Sequence, residues 1–198
     1  MVNEQEKKNP TVRRVVTGQT PTGTHQFTHV GEVAALDMGG GCKWYGVWGW
    51  DKMPTLPYHT VEPYVPRSVF PAAGGMRINT TVFPAGYGVT TKDALAAGPS
   101  EEFLRIMAAQ PPTGEHDHET GMHSTDSVDF GFVISGEVTL IQGDGSEVTL
   151  VPGDVLVQNG AIHAWQNRSD QPCTICFVVL GTPRAVTTPR PATSTRSE

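Results

Sequence analysis

A chain of 198 residues with 22 Gly, 16 Pro and only 17% charged side chains favours many short strands and turns over long helices, and is long enough for one well-buried core rather than two. A formal net charge of -6 leaves no surplus of Lys and Arg for a phosphate backbone or an anionic membrane surface, so neither nucleic acid nor a membrane is an expected partner. No apolar run approaches the roughly 20 residues that span a bilayer, and MVNEQEKKNP has no apolar segment of the signal-peptide type, so the expected location is cytoplasmic.

In chain order, residues 1–10 are polar and read as a disordered N-terminal tail, followed by one domain over 11–182. VRRVVTG opens that domain as an edge strand. QFTHVGEVAALDMGGG and KWYGVWGWDKMPTLP then alternate aromatic and β-branched residues with glycines and prolines, the pattern of short strands and irregular loops. In GMRINTTVFPAG, Met76, Ile78 and Val82 fall on one face and Arg77, Asn79 and Thr81 on the other. If the polar face looks into a barrel, Arg77 is a candidate for holding an anionic group of a substrate; otherwise it sits on a solvated face.

PSEEFLRIMAAQPPTG is the one helix expected: Ser100 caps it, Glu101 and Glu102 suit its positive end, Phe103, Ile106, Met107 and Gln110 share a face, and Pro111 stops it. It lies within a long connection, Tyr87 to Thr120, that reads as a lid and also carries GEHDHETG. From Ser127 onward SVDFGFVIS, EVTLIQ, EVTLV, VLVQ, HAWQNRS and TICFVVL are separated by tight turns, which indicates an all-β sandwich or barrel. Residues 183–198, rich in Pro, Thr and Ser, read as a disordered C-terminal tail. Cys173 and Cys176 have an x-x spacing, but within TICFVVL their side chains point to opposite faces, so they and Cys42 are expected as core thiols.

His123, Thr125 and Asp129 share parity in HSTDSVDFGFV, so an extended backbone projects all three to one side. His163 begins HAWQN after the QNGAI turn, and a barrel that brings this strand beside the first adds a second imidazole. Two His and one carboxylate suit Fe(II) and related divalent ions and leave coordination positions open.

The surrounding residues resemble the cupin superfamily. Its first motif is matched by His123-x-Thr125, Asp129 and Gly136, and its second by Gly153, Gln158-Asn159-Gly160, His163 and Asn167. The resemblance implies a jelly-roll β-barrel with one short helix in a long loop. MHSTDSVDFGFVISGEVTLI and PGDVLVQNGAIHAWQNRSDQPC, with the opening RRVVTG, look like small stand-alone cupins called cupin-domain oxidoreductases, found with fungal polyketide synthases. Two departures stand out: Thr125 replaces the motif's second His, and Asp129 is one methylene shorter than its Glu.

The function expected is therefore a metal-dependent oxidoreductase of a small polyketide-like or aromatic metabolite. His123, Asp129 and His163 hold Fe, Mn, Ni or Zn; Asp129 and His163 are the catalytic pair; Arg77, Thr125 and Trp165 contact substrate. His116 and His118 are either solvated loop residues or stand-ins for the missing ligand, and Trp165 either stacks on a planar substrate or is barrel core. The alternatives are a metal-free dehydratase or isomerase using Asp129 and His163 as an acid-base pair, and a cupin that only binds a small molecule. A homodimer is expected, since open jelly rolls leave strand edges and apolar outer faces to cover.

Overall fold

A computed structural model describes residues 11–58, 64–89, 98–109, 114, 116–117 and 120–185. Among them the strands are β1 (Arg13–Gln19), β2 (His25–Glu32), β3 (Leu36–Gly39), β4 (Cys42–Trp50), β5 (Met76–Phe83), β6 (Ser127–Ser135), β7 (Val138–Gln142), β8 (Glu147–Leu150), β9 (Val155–Gln158), β10 (His163–Gln166) and β11 (Cys173–Gly181), with one helix, α1 (Glu101–Ala108), between β5 and β6. The chain is all-β as its composition predicts. Of the expected tails at 1–10 and 183–198, residues 1–10 and 186–198 lie outside the described residues, while 183–185 are described and Arg184 is bonded to Thr125, Asp126 and Gly160.

Three antiparallel sheets form: β1-β2, β10-β7-β8 and β3-β4-β5-β11-β6-β9. The last two face each other across one core, to which Cys42, Phe83, Val133, Cys173 and Ile175 come from the larger sheet and Val138, Leu140 and Leu150 from the smaller. This is the layering of a jelly-roll barrel in which the sheets meet through side chains, not through a continuous closing ladder, among the described residues.

Pairing register fixes what each face of the large sheet carries, because residues directly opposite share a face. One inward row runs Arg77, Val179, Asp129, Gln158 across β5, β11, β6 and β9. The adjacent outward row runs Trp48, Ile78, Val178, Phe130, Val157 from β4 to β9. The next outward row contains Cys176, Phe132 and Val155. Cys176 therefore looks out and Cys173 in, and all three cysteines are free thiols.

Gly136 closes the β6–β7 turn at φ +71°, and a Cβ there would lie 2.2 Å from the Pro172 carbonyl oxygen, so only glycine fits. Asn167, fully buried, donates to the carbonyls of Phe83 and Gln171 and ties the end of β5 to the turn after β10. Helix α1 starts where the capping signature predicts: the Ser100 hydroxyl accepts from the Phe103 amide. Its Phe103 and Ile106 pack with Trp44 and Val69 in a second core cluster, the Phe103 ring edge-on to Trp44 at 6.1 Å. The helix is thus an anchored part of the core, not the light lid that its place in a long connection suggested.

Strands β1 and β2 make a separate ribbon. Its body-facing side is held by Arg14, whose guanidinium donates to the carbonyls of Val47 and Tyr64 and lies 5.8 Å from the ring centroids of both Trp48 and Tyr64.

Candidate functional site

His123 and His163 pair directly across an antiparallel bridge: the His163 amide donates to the His123 carbonyl at 2.9 Å, and the His123 amide returns the bond at 2.8 Å. The two residues therefore share a face, and their rings stack at 4.4 Å between centroids, tilted by 48°. Each Nδ1 is 2.9–3.0 Å from the carbonyl two residues upstream, His123 on Gly121 and His163 on Ala161. A carbonyl only accepts, so in both rings Nδ1 carries the proton and Nε2 the lone pair. Burial, and next the neighbouring His123, push the His163 imidazole down to about 4, so it is neutral at physiological pH.

His116 continues the row. It bridges His123 on the other side, the chain turning back through Asp117–Met122, and its ring stands 5.9 Å from that of His123. The three imidazoles run from buried His163 through half-buried His123 to exposed His116. His118 lies outside the described residues.

Asp129 faces inward from β6, opposite Gln158 on β9. Burial pushes its carboxyl up to about 6, partly opposed by a hydrogen bond from Ser127. Its Oδ1 is buried and has no hydrogen-bond partner, which is a costly state for an ionised oxygen. The Thr125 hydroxyl is 2.8 Å from that of Ser127. Because Ser127 spends its one proton on the carboxylate, Thr125 donates to Ser127, and the three form a hydroxyl chain ending at Asp129. Thr125 is thus a buried support of the carboxylate.

Gln158 links the two halves of the site: its amide donates to the Ala161 carbonyl, the same oxygen that receives the His163 Nδ1 proton. Arg184, beyond β11, pairs with Asp126 and donates to the carbonyls of Thr125 and Gly160. It straps together the segments that lead into Asp129 and His163. Trp165 follows His163 on the same face, edge-on to it at 5.7 Å, stacked on Phe83 at 5.5 Å and edge-on to Phe177 at 5.9 Å. It is a core ring that forms one wall beside His163.

Arg77 shares the inward row of Asp129, but its guanidinium turns away. It donates to the carbonyls of Trp50 and Met76, to the Ser68 hydroxyl and to Asp51. The structure therefore brings His123, His163 and Trp165 together, holds Asp129 on the facing sheet with Thr125 just before its strand, and engages Arg77 elsewhere. Ser127, Gln158 and Arg184 are bonded to these candidates or to the segments that carry them, and the sequence did not single them out. Ser127 shares parity with Thr125 and Asp129, the one signal that pointed to it.

As donors, two Nε2 lone pairs and a carboxylate oxygen fit a divalent ion, and imidazoles pinned through Nδ1 to a backbone carbonyl are held as metal ligands are. In arrangement only the imidazole pair is assembled: among the described residues no three His, Cys, Asp or Glu side chains gather closely enough to hold a metal ion. No helix among those residues is long and apolar enough to cross a membrane.

Residues 109–179 match the cupin domain family. Phomopsin biosynthesis cluster protein C' of Diaporthe leptostromiformis is 41% identical over 71 residues, which are 36% of this chain and 35% of its own length. The cupin-domain-containing oxidoreductase srdB of Neurospora crassa is 38% identical over 63 residues, 31% of this chain and 32% of its own. The chain thus aligns with well under two thirds of either relative. An RmlC-like cupin from Shewanella frigidimarina superposes with a TM-score of 0.41 at 12% identity, over 76% of this chain and 85% of that one. The match over 109–179, with the imidazole pair standing at the two motif positions, identifies that stretch as a cupin domain.

Proposed function

We propose that the chain is a metal-assisted oxidoreductase of a small organic metabolite, polyketide-like or aromatic, with His123 and His163 as nitrogen ligands and Asp129 as the carboxylate. The observation that carries this reading is the facing imidazole pair, both Nδ1 atoms tied to backbone carbonyls. The oxidoreductase names of curated relatives support the reaction class. When bound, a divalent ion such as Fe, Mn, Ni or Zn supplies Lewis acidity and open coordination positions. The chain's own residues do the rest: Ser127 and Thr125 steady the Asp129 carboxylate, Arg184 and Gln158 hold the segments on which the pair stands, and Trp165 offers the wall against which a planar substrate packs. Elemental analysis tests this directly. Protein purified without added metal should hold about one ion per chain, and His123→Ala and His163→Ala should each lose it; a parent that stays metal-free and fails to bind added Fe(II), Mn(II), Ni(II) or Zn(II) sinks the reading.

A second reading is favoured by Asp129. A carboxyl pushed up to about 6 with one buried, unpartnered oxygen suits a general base working near neutrality, and His163 held neutral suits its partner. In this account Asp129 takes a proton at Oδ1 from a carbon acid, the electron pair left on carbon forms the C=C bond as the β-hydroxyl departs, and the same proton passes from Asp129 to that hydroxyl, so that water leaves without a metal. Both histidine variants would then be inactive with the same near-zero metal content as the parent.

A further inference from the structure

Side chains that point between two packed sheets are closed to water where the sheets meet, because protein interiors are filled to the density of organic crystals. On the inner face of the large sheet, the row that carries Asp129 (Arg77, Val179, Asp129, Gln158) is buried throughout. So is the row after next, Thr81, Ile175 and Val133. Between them runs Asn79, Phe177, Gly131, Leu156. Here Phe177 and Leu156 point inward yet are only half-buried, and so is Trp165 on the smaller sheet, 5.7 Å from the His163 ring. Three inward apolar side chains that keep part of their surface accessible line a space between the sheets, one row below Asp129, with an apolar floor and a polar rim.

Gly131 stands directly opposite Phe177. Its φ is not positive, so the backbone does not call for glycine there, and a glycine in mid-strand weakens the strand. Space calls for it instead. A Cβ at Gly131 would lie 3.1 Å from Phe177 Cε1, and 3.4 Å from Phe177 Cδ1 and from Leu156 Cβ. The glycine thus lets the Phe177 ring lie down over the sheet, where a larger residue would drive it up into the space. Trp165 meets that ring edge-on, at 5.9 Å and 72°, so the two rings make a corner. Two residues of strand, about 7 Å, separate this floor from the level of Asp129. We infer that the pair of Gly131 and Phe177 sets the depth of the site, with Phe177 as a specificity-determining floor that admits a molecule ending in a single planar ring and turns away a fused two-ring system. The inference rests on the proposed function, in which a small molecule meets Asp129 and the imidazole pair.

Calorimetric titration of the chelator-treated full chain with phenol and with 2-naphthol reads the depth without turnover or metal. The parent should bind phenol about 10-fold more tightly than 2-naphthol, the discrimination that one misfitting group gives. Phe177→Ala, or Phe177→Leu if the smaller residue unfolds the chain, should reverse that ranking by opening the floor. Gly131→Ala should weaken phenol by about 10-fold, because the methyl lifts the ring into the space. Combining Gly131→Ala with Phe177→Ala should give a chain that binds 2-naphthol as Phe177→Ala does, since no ring is left to lift. A parent that takes neither probe at millimolar concentration sinks the small-molecule reading and this assignment together. A parent that takes both probes equally, folded Phe177 variants that keep its preference, or a double variant that binds 2-naphthol no better than Gly131→Ala sinks the depth assignment alone.

Discussion

Arg77 and Asp129 stand in the same inward row of the large sheet, separated by Val179 alone, and both are buried. Arg77 has four partners for its two Nη atoms, drawn from Trp50, Asp51, Ser68 and Met76. Asp129 has Ser127 for one oxygen and nothing for the other. The buried Arg77 Nε has no partner either, but a guanidinium whose Nη donors are engaged by local carbonyls, a hydroxyl and a carboxylate stabilises the fold around it, whereas a buried carboxyl left half-satisfied raises its own ionisation cost, which a ligand or a proton would relieve. Two side chains in one row of one face thus divide into one whose Nη atoms are all engaged and one with an oxygen left over, and Asp51 and Ser68, outside the strands, contribute to that difference.

The sharpest way to test that division is to neutralise each member. Asp129→Asn should lower turnover of a screened aromatic or polyketide-like substrate by about 10²–10⁴-fold while the protein stays folded, as loss of a positioned base or ligand does; comparable kcat in parent and variant would remove Asp129 from the chemistry. Arg77→Ala should do the reverse. Orphaning the Trp50 and Met76 carbonyls should cost about 3 kcal/mol of unfolding free energy, read from the urea midpoint, with kcat of the folded fraction near that of the parent.

Next in size is a pH effect in chelator-treated protein. Asp129 titrates at about 6 in the fold against 3.8 unfolded, so the native state binds the extra proton, and this contribution to stability is present at low pH and lost as pH rises through that window. His163 titrates at about 4 against 6.5, so its contribution has the opposite sign and is lost as pH falls. In the parent the two offset between about pH 4 and 6. Asp129→Asn should therefore leave a Tm that climbs with pH across this range, and His163→Gln one that declines; parallel curves for parent and variants would mean that neither group is perturbed as described.

The smallest effects concern Arg184. Its bonds to Thr125, Asp126 and Gly160 are partly exposed, so Arg184→Ala should cost about 1 kcal/mol, visible as a modest drop in Tm. Removing 186–198 instead should leave Tm within about 1 °C of the parent, since that segment offers no apolar face. A larger loss from the truncation than from the point variant would show that the strap extends past Arg184.

Strand parity and the motif resemblance made the inner face of β6, the two histidines and α1 legible before any coordinates. Parity put Arg77 on the polar face of its strand, inward or solvated, and Asp129 on one side with His123 and Thr125; it could not say that Asp51 and Ser68, from irregular connections, would turn the Arg77 guanidinium aside. Gln158 and Arg184 were illegible for a related reason. Their roles arise from the pairing of Asp129 with Gln158 and from a contact between Thr125 and Arg184, both between distant parts of the chain that no local pattern relates. Helix α1 showed its own apolar face in sequence, but that Trp44 and Val69 receive it is a property of the packed sheet.

The two hydrogen bonds between the backbones of His123 and His163 have a temporal consequence as well. Strands β6, β7, β8 and β9 all lie between these two residues in the chain, so the bridge closes a long loop whose entropy cost must be met by pairings made first. Until those pairings form, the two histidines stay apart, so the imidazole pair is a product of the assembled topology and of neither segment alone.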